Sequence, residues 1–179
     1  MRESNRPIAL RTVQDAIANI GVQEEGDNGG PAVEAYLASC VPALKPPAPW
    51  CAAFVRYRMR QAARALGLTY NATFPRSAYT PDWANWANKY DKWVSRERAK
   101  DNPSLILPGD LALFWFPAIE RIGHIGIVTQ VTKTGVVTVE GNTRPMSGEG
   151  VDRDGDGVYR RVRRWSSLGR HGGFLMVDF

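Results

Sequence analysis

The hydrophobic rhythm of the chain changes once, near residue 110. Before that point, Ile8, Val13, Ile17 and Ile20 recur at close to helical spacing and predict an amphipathic helix over residues 8–20. "EEGDNGGP" (24–31) is a loop, and Pro31 suits the first turn of a second helix, "PAVEAYLASC". "VPALKPPAPW" (41–50) holds four prolines and reads as an extended connector. A third helix is predicted over residues 51–66. Its buried stripe is Ala52, Val55, Met59, Ala62, Ala63 and Leu66, and Gly67 stops it. "TPDWANWANKY" reads as a short helix capped at Thr80, and residues 94–109 as a polar, proline-punctuated loop. From residue 110 the apolar runs are short and β-rich: "DLALFWF", "HIGIVTQV", "GVVTVEGN", "GVYRRVRRW" and "FLMVDF". Helices followed by strands predict an α+β domain with helices packed on an antiparallel sheet.

Composition narrows the class. The 179 residues are 44% hydrophobic, which suits a single domain with a core of its own. Two cysteines make no disulfide framework, and a Cys40–Cys51 bridge is not expected. With His124 and His171 they show no zinc-ligand spacing. No apolar run is long enough to span a membrane. The first twenty residues lack a long apolar run and a small-residue cleavage site, so they read as a helix rather than a signal peptide. The net charge of +5 favours a polyanionic partner: nucleic acid, anionic lipid or an anionic cell wall. Nucleic acid is disfavoured, because basic and aromatic residues do not interleave on a recognisable module. Arg56, Arg60 and Arg64 recur every four residues, and Arg160, Arg161, Arg163 and Arg164 cluster in one strand. Both groups are read as solvated faces.

One short stretch carries candidate chemistry. In "APWCAAF", Cys51 opens a helix, where unpaired N–H groups and the helix dipole favour a thiolate. The same N–H groups can stabilise an oxyanion. A nucleophilic cysteine needs a base and an orienter for that base. His124 begins a strand, whereas His171 in "GRHGGF" looks like a loop residue. A three-residue hairpin loop centred on Lys133 would set His124 opposite Asn142 and Gly126 opposite Glu140. With a side-chain period of two, His124, Glu140 and Asn142 would then share one face. Either Glu140 or Asn142 could hold one imidazole nitrogen and leave the other for the thiol.

"PWCAAFV", "PGDLALFW", "HIGIV" and "VTVEGNT" resemble, in order, the motifs of CHAP domains, the cysteine- and histidine-dependent amidohydrolases/peptidases. The resemblance covers about residues 20–165. It implies a papain-like, NlpC/P60-like α+β fold, with N-terminal helices on a five- to six-stranded antiparallel sheet. It maps the nucleophile to Cys51, the base to His124, and the rest of the site to Glu140 and Asn142. Gly109-Asp110 matches a family landmark, read as a structural turn. The implied activity is hydrolysis of a peptidoglycan amide bond, either an N-acetylmuramoyl-L-alanine linkage or one in the stem or cross-bridge. The alternatives are a non-catalytic wall-binding or virion structural domain, or an amidase for another small amide. The expected organisation is one catalytic domain over residues 1–179, monomeric, without a separate wall-binding domain. It would act in the cell wall or periplasm after non-standard release.

Other positions are weighed as follows. Asn28 is read as a helix N-cap, with its loop as a groove-lining alternative; Trp50, Trp115 and Phe116 are candidate groove residues, with core packing the expected role of at least two of them. "DRDGDGV" (152–158) opens like a calcium loop, with Asp152, Asp154 and Asp156 as ligands. Its twelfth position is Arg163 rather than a bidentate Glu, so a tight turn is preferred and neither cofactor nor metal is expected.

Overall fold

The computed structural model describes residues 6–70, 74–145 and 154–178. The helices are α1 (Pro7–Ile17), α2 (Pro31–Ala38), α3 (Cys51–Ala65), α4 (Thr80–Lys89) and α5 (Arg96–Asp101). The strands are β1 (Trp93–Ser95), β2 (Leu111–Phe116), β3 (Arg121–Val131), β4 (Gly135–Thr143), β5 (Gly157–Arg164) and β6 (Gly173–Leu175). They form one six-stranded sheet in the order β1-β6-β2-β3-β4-β5, antiparallel at every pairing. This is the α+β architecture predicted by helices followed by strands, and it fits a papain-like assignment.

Both sheet faces are covered, which explains why the central strands read as continuous apolar runs. Leu111, Leu113, Ile125, Ile127 and Val139 pack with Val33, Leu37, Phe54 and Val55 of α2 and α3. The alternate residues Ala112, Phe114, Val128 and Val136 face a second cluster with Ala99, Trp165, Leu168 and Phe174. Residues 94–109, expected as loop, supply the end of β1 and all of α5 to that second layer. Ser95 caps α5 by accepting from the Arg98 N–H, and Ala99 is its single buried side chain. A six-residue helix with one apolar anchor leaves no periodic signal.

Several local expectations change. The helix α1 buries Ile8, Ala9, Thr12 and Ala16, while Ile17 and Ile20 are 49% and 40% exposed. Small side chains let α1 lie close, and Ala9 sits where a Cβ on Gly109 would approach to 2.8 Å. Leu66 lies past the buried stripe of α3, and Gly67 takes the left-handed φ of +64° that ends the helix. The cap position of α4 is Tyr79; Thr80 is its first helical residue, and its hydroxyl donates to the Ile122 carbonyl. The cap of α2 is Gly30, not Asn28.

Asp110 of the "GD" pair is a structural hub. Its buried carboxylate accepts from Arg6 Nη2 at 2.5 Å and from the backbone N–H groups of Leu107 and Val177. It thereby fastens both ends of the described chain to the start of β2. The run "FLMVDF" consequently leaves the sheet after Leu175.

Each arginine cluster is only in part a solvated face: Arg60, Arg64, Arg160 and Arg164 are exposed, whereas Arg56, Arg161 and Arg163 are buried. Arg56 is buried, and donates to the Ser39 and Pro75 carbonyls. On β5, Arg161 and Arg163 point inward while Val162 is 52% exposed. β5 is an edge strand, and inward charge on an edge hinders unwanted strand pairing.

Candidate active site

Cys51 is placed by the packing around the first turn of α3. Trp50 precedes it, fully buried, and its indole N–H donates to Glu24 Oε2 at 3.0 Å. The opposing residue on β4 is Gly141, where a Cβ would lie 2.7 Å from Trp50 Cζ3 and 2.8 Å from Phe54 Cβ. Only glycine lets the helix start press directly on the strand. Cys51 is 4% exposed and opens into a cavity of about 370 Å³. Leu44, Pro49, Tyr79 and Arg121 are among its walls. Cys40, by contrast, is a buried free thiol just past the C-cap of α2, and burial pushes its pKa up.

His124 and Glu140 meet across the β3–β4 hairpin. The loop is one residue longer than predicted: Val131 pairs with Val136. A bulge at Thr129 then shifts the register back, so that Ile127 faces Val139. Two deviations cancel, and the expected alignment returns at the site. Gly126 provides the crossing point, because a Cβ there would sit 2.6 Å from Glu140 Cγ. The carboxylate passes over it to accept from His124 Nε2 at 2.9 Å.

Glu140 is fully buried and held by three further donors. Thr138 Oγ1 reaches Oε1 at 2.5 Å, Arg163 Nε reaches Oε1 at 2.8 Å, and Arg163 Nη2 reaches Oε2 at 2.6 Å. Burial acts to raise its pKa, but the Arg163 fork and His124 outweigh it and hold the carboxyl well below its usual range. Arg163 is 1% exposed and stacks over Phe114, whose ring lies 5.5 Å from that of His124.

His124 is completely buried, and burial is the largest influence on its pKa, favouring the neutral ring. Interactions with Cys51 and then Glu140 override burial, raising the pKa to about 9. With Nε2 committed to Glu140, Nδ1 is the nitrogen left over, and it has no aligned hydrogen bond among the described residues. A protonatable imidazole between a thiol and a buried carboxylate can accept, hold and return one proton.

Asn142 does not join this row. Glu140 pairs with Tyr159 but Thr143 with Gly157, so two β4 residues oppose one on β5. At this bulge Asn142 takes a φ of +55° and its Oδ1 accepts from the Gly155 N–H at 3.2 Å. Its side chain holds the 155 turn rather than the imidazole. Asn28 is a neighbour of the same turn: it is buried, and its Nδ2 donates to Asp154 Oδ1 at 3.4 Å. Trp50 is core, not groove, and Phe116 packs against the second cluster, away from the cysteine cavity. Trp115 lines an adjoining cavity. Of the calcium-like loop, Asp152 lies outside the described residues. No group of three His, Cys, Asp or Glu able to hold a metal occurs among those described. His171 is an exposed loop residue against Trp115. Sequence reasoning missed Arg163, although its position two residues from Arg161 in a β-run was a signal for a shared strand face.

A family model described as CHAP domain matches residues 45–142, from just before Cys51 to Asn142. The match covers more than half of the chain, and the protein belongs to the CHAP family. CHAP domains are typically hydrolytic cysteine- and histidine-dependent amidohydrolases or peptidases. No curated protein and no solved structure matches the chain.

Proposed function

We propose that this chain is a single catalytic domain that hydrolyses an amide bond of bacterial peptidoglycan. The observation that carries the reading is the buried Cys51–His124–Glu140 row, with its sulfur end open to a cavity. His124 takes the thiol proton, and the Cys51 sulfur attacks the amide carbonyl. The N–H groups that open α3 have no intrahelical acceptor, so they can stabilise the oxyanion. Collapse of the tetrahedral intermediate breaks the C–N bond, and His124 gives its proton to the departing amine. Water then adds to the thioester with His124 as base, releasing the acid and restoring the thiol. Glu140 holds the imidazole orientation and stabilises its charge, and Arg163 holds Glu140. The basic balance of the chain supports an anionic polymer as its target.

The test is digestion of purified sacculi followed by mass spectrometry of the released fragments. New free amines and carboxyls at one type of amide bond are expected. Intact sacculi after prolonged digestion with reduced, active-thiol protein would remove the reading.

A further inference from the structure

A second cavity, of about 420 Å³, adjoins the cysteine cavity. Arg121 lines both. Their other walls run on through consecutive residues, Thr80 to Pro81 at the start of α4 and Gly123 to Ile122 on β3. The two are halves of one groove.

The halves differ in chemistry. Around Cys51, prolines and aliphatic side chains stand beside Ser77, Tyr79 and Thr80. The second half presents two half-buried indoles, Trp93 and Trp115, with the amides of Asn85 and Asn88 and the guanidinium of Arg170 around them. Both indoles are held in place. The His171 ring stands edge-on to Trp115 at 4.7 Å. Trp93 packs over Gly173, where a Cβ would meet the ring at 2.6 Å. Fixed aromatic surfaces cost little ordering on binding. A pyranose offers apolar C–H faces and a rim of hydroxyls, which match indoles bordered by amide and guanidinium groups. A peptide strand would instead need a long free sheet edge, and β1 offers only three residues.

We infer that this half of the groove is a carbohydrate subsite that holds a sugar ring of the glycan and presents its attached peptide to Cys51. The inference rests on the proposed peptidoglycan activity. It makes the glycan–peptide junction, rather than a glycan-free cross-link, the preferred place of cleavage.

Two measurements test it. One is calorimetric binding of the N-acetylglucosamine–N-acetylmuramic acid disaccharide to Cys51→Ser protein, which needs no catalysis. Trp115→Ala and, as an exposed second variant, Asn88→Ala are each expected to weaken binding, Trp115→Ala by about ten-fold or more. The other is the ratio of kcat/KM for one stem peptide with and without the disaccharide. That ratio should exceed about ten in the wild type and fall towards one in Trp115→Ala. No disaccharide binding, or a wild-type ratio near one, would overturn the inference. Binding without cleavage of either substrate would support the subsite while removing the hydrolase reading.

Discussion

Cys51→Ser and His124→Ala are each expected to lower kcat/KM on sacculi by about 10⁴–10⁶-fold, because each removes a group that acts on the bond being broken. Serine is close to isosteric with cysteine, so its loss of rate should come without loss of fold. Removing the imidazole leaves the Glu140–Arg163 pair intact, so His124→Ala should also fold. Turbidity loss of sacculi and the Tm of each variant check both halves of the expectation. Retention of a rate within ten-fold of wild type by either variant would exclude its proposed role. The pH dependence follows from the same groups. The His124 pKa is raised from 6.5 to about 9, so the stability gained from its charged form is complete below about 6.5 and lost as pH rises through about 9. The Glu140 pKa is lowered, so its contribution is present above its ordinary value of 4.5 and is lost as pH falls below it. Activity should accordingly collapse above about pH 9.

Arg163→Gln should be the most destabilising single change at the site. Among the described residues, it leaves the fully buried Glu140 carboxylate with His124 as its remaining ionic partner. Breaking one side of a buried pair costs about 3–5 kcal/mol. For a chain of this size that is a Tm roughly 6–20 °C lower. Arg163→Lys keeps the charge but cannot form the two-pronged contact, so it should recover only part of the loss. Thermal unfolding at pH 7 provides the check. A Tm for Arg163→Gln within 2 °C of wild type would mean that Glu140 does not depend on this fork.

The parts of this site that were legible in the sequence are those set by local rules. Cys51 stood at a helix start after a proline-rich connector, and the alternation of the hairpin put His124 and Glu140 on one face. What stayed hidden depends on context that no short window contains. A basic strand ordinarily faces water, but β5 turns Arg163 inward to the buried Glu140 carboxylate on β4, and Arg161 inward to the Arg144 and Pro145 carbonyls. Asn142 left the shared face because a bulge gives it a left-handed backbone, a property of how β4 meets β5. Whether Trp50 lined the groove or joined the core stayed open in the sequence; its burial follows from Gly141, ninety-odd residues later in the chain. The register was reached through two compensating deviations, one in the loop and one at Thr129, so the alignment held although the assumed loop length did not.

Whether Cys51 is a nucleophile coupled to His124 and Glu140 is decided by its rate of iodoacetamide alkylation at pH 7, followed for each cysteine separately by peptide mass spectrometry. Cys40 is an internal reference within the same chain, buried just past the C-cap of α2 with its pKa pushed up. Cys51 is expected to be alkylated at pH 7 while Cys40 stays unmodified, and Glu140→Gln, which weakens the hold on the protonated His124, is expected to slow the Cys51 reaction. A Cys51 alkylation rate no faster than that of a free thiol, and equal in wild type and Glu140→Gln, would show that Cys51 is not coupled to His124 and Glu140.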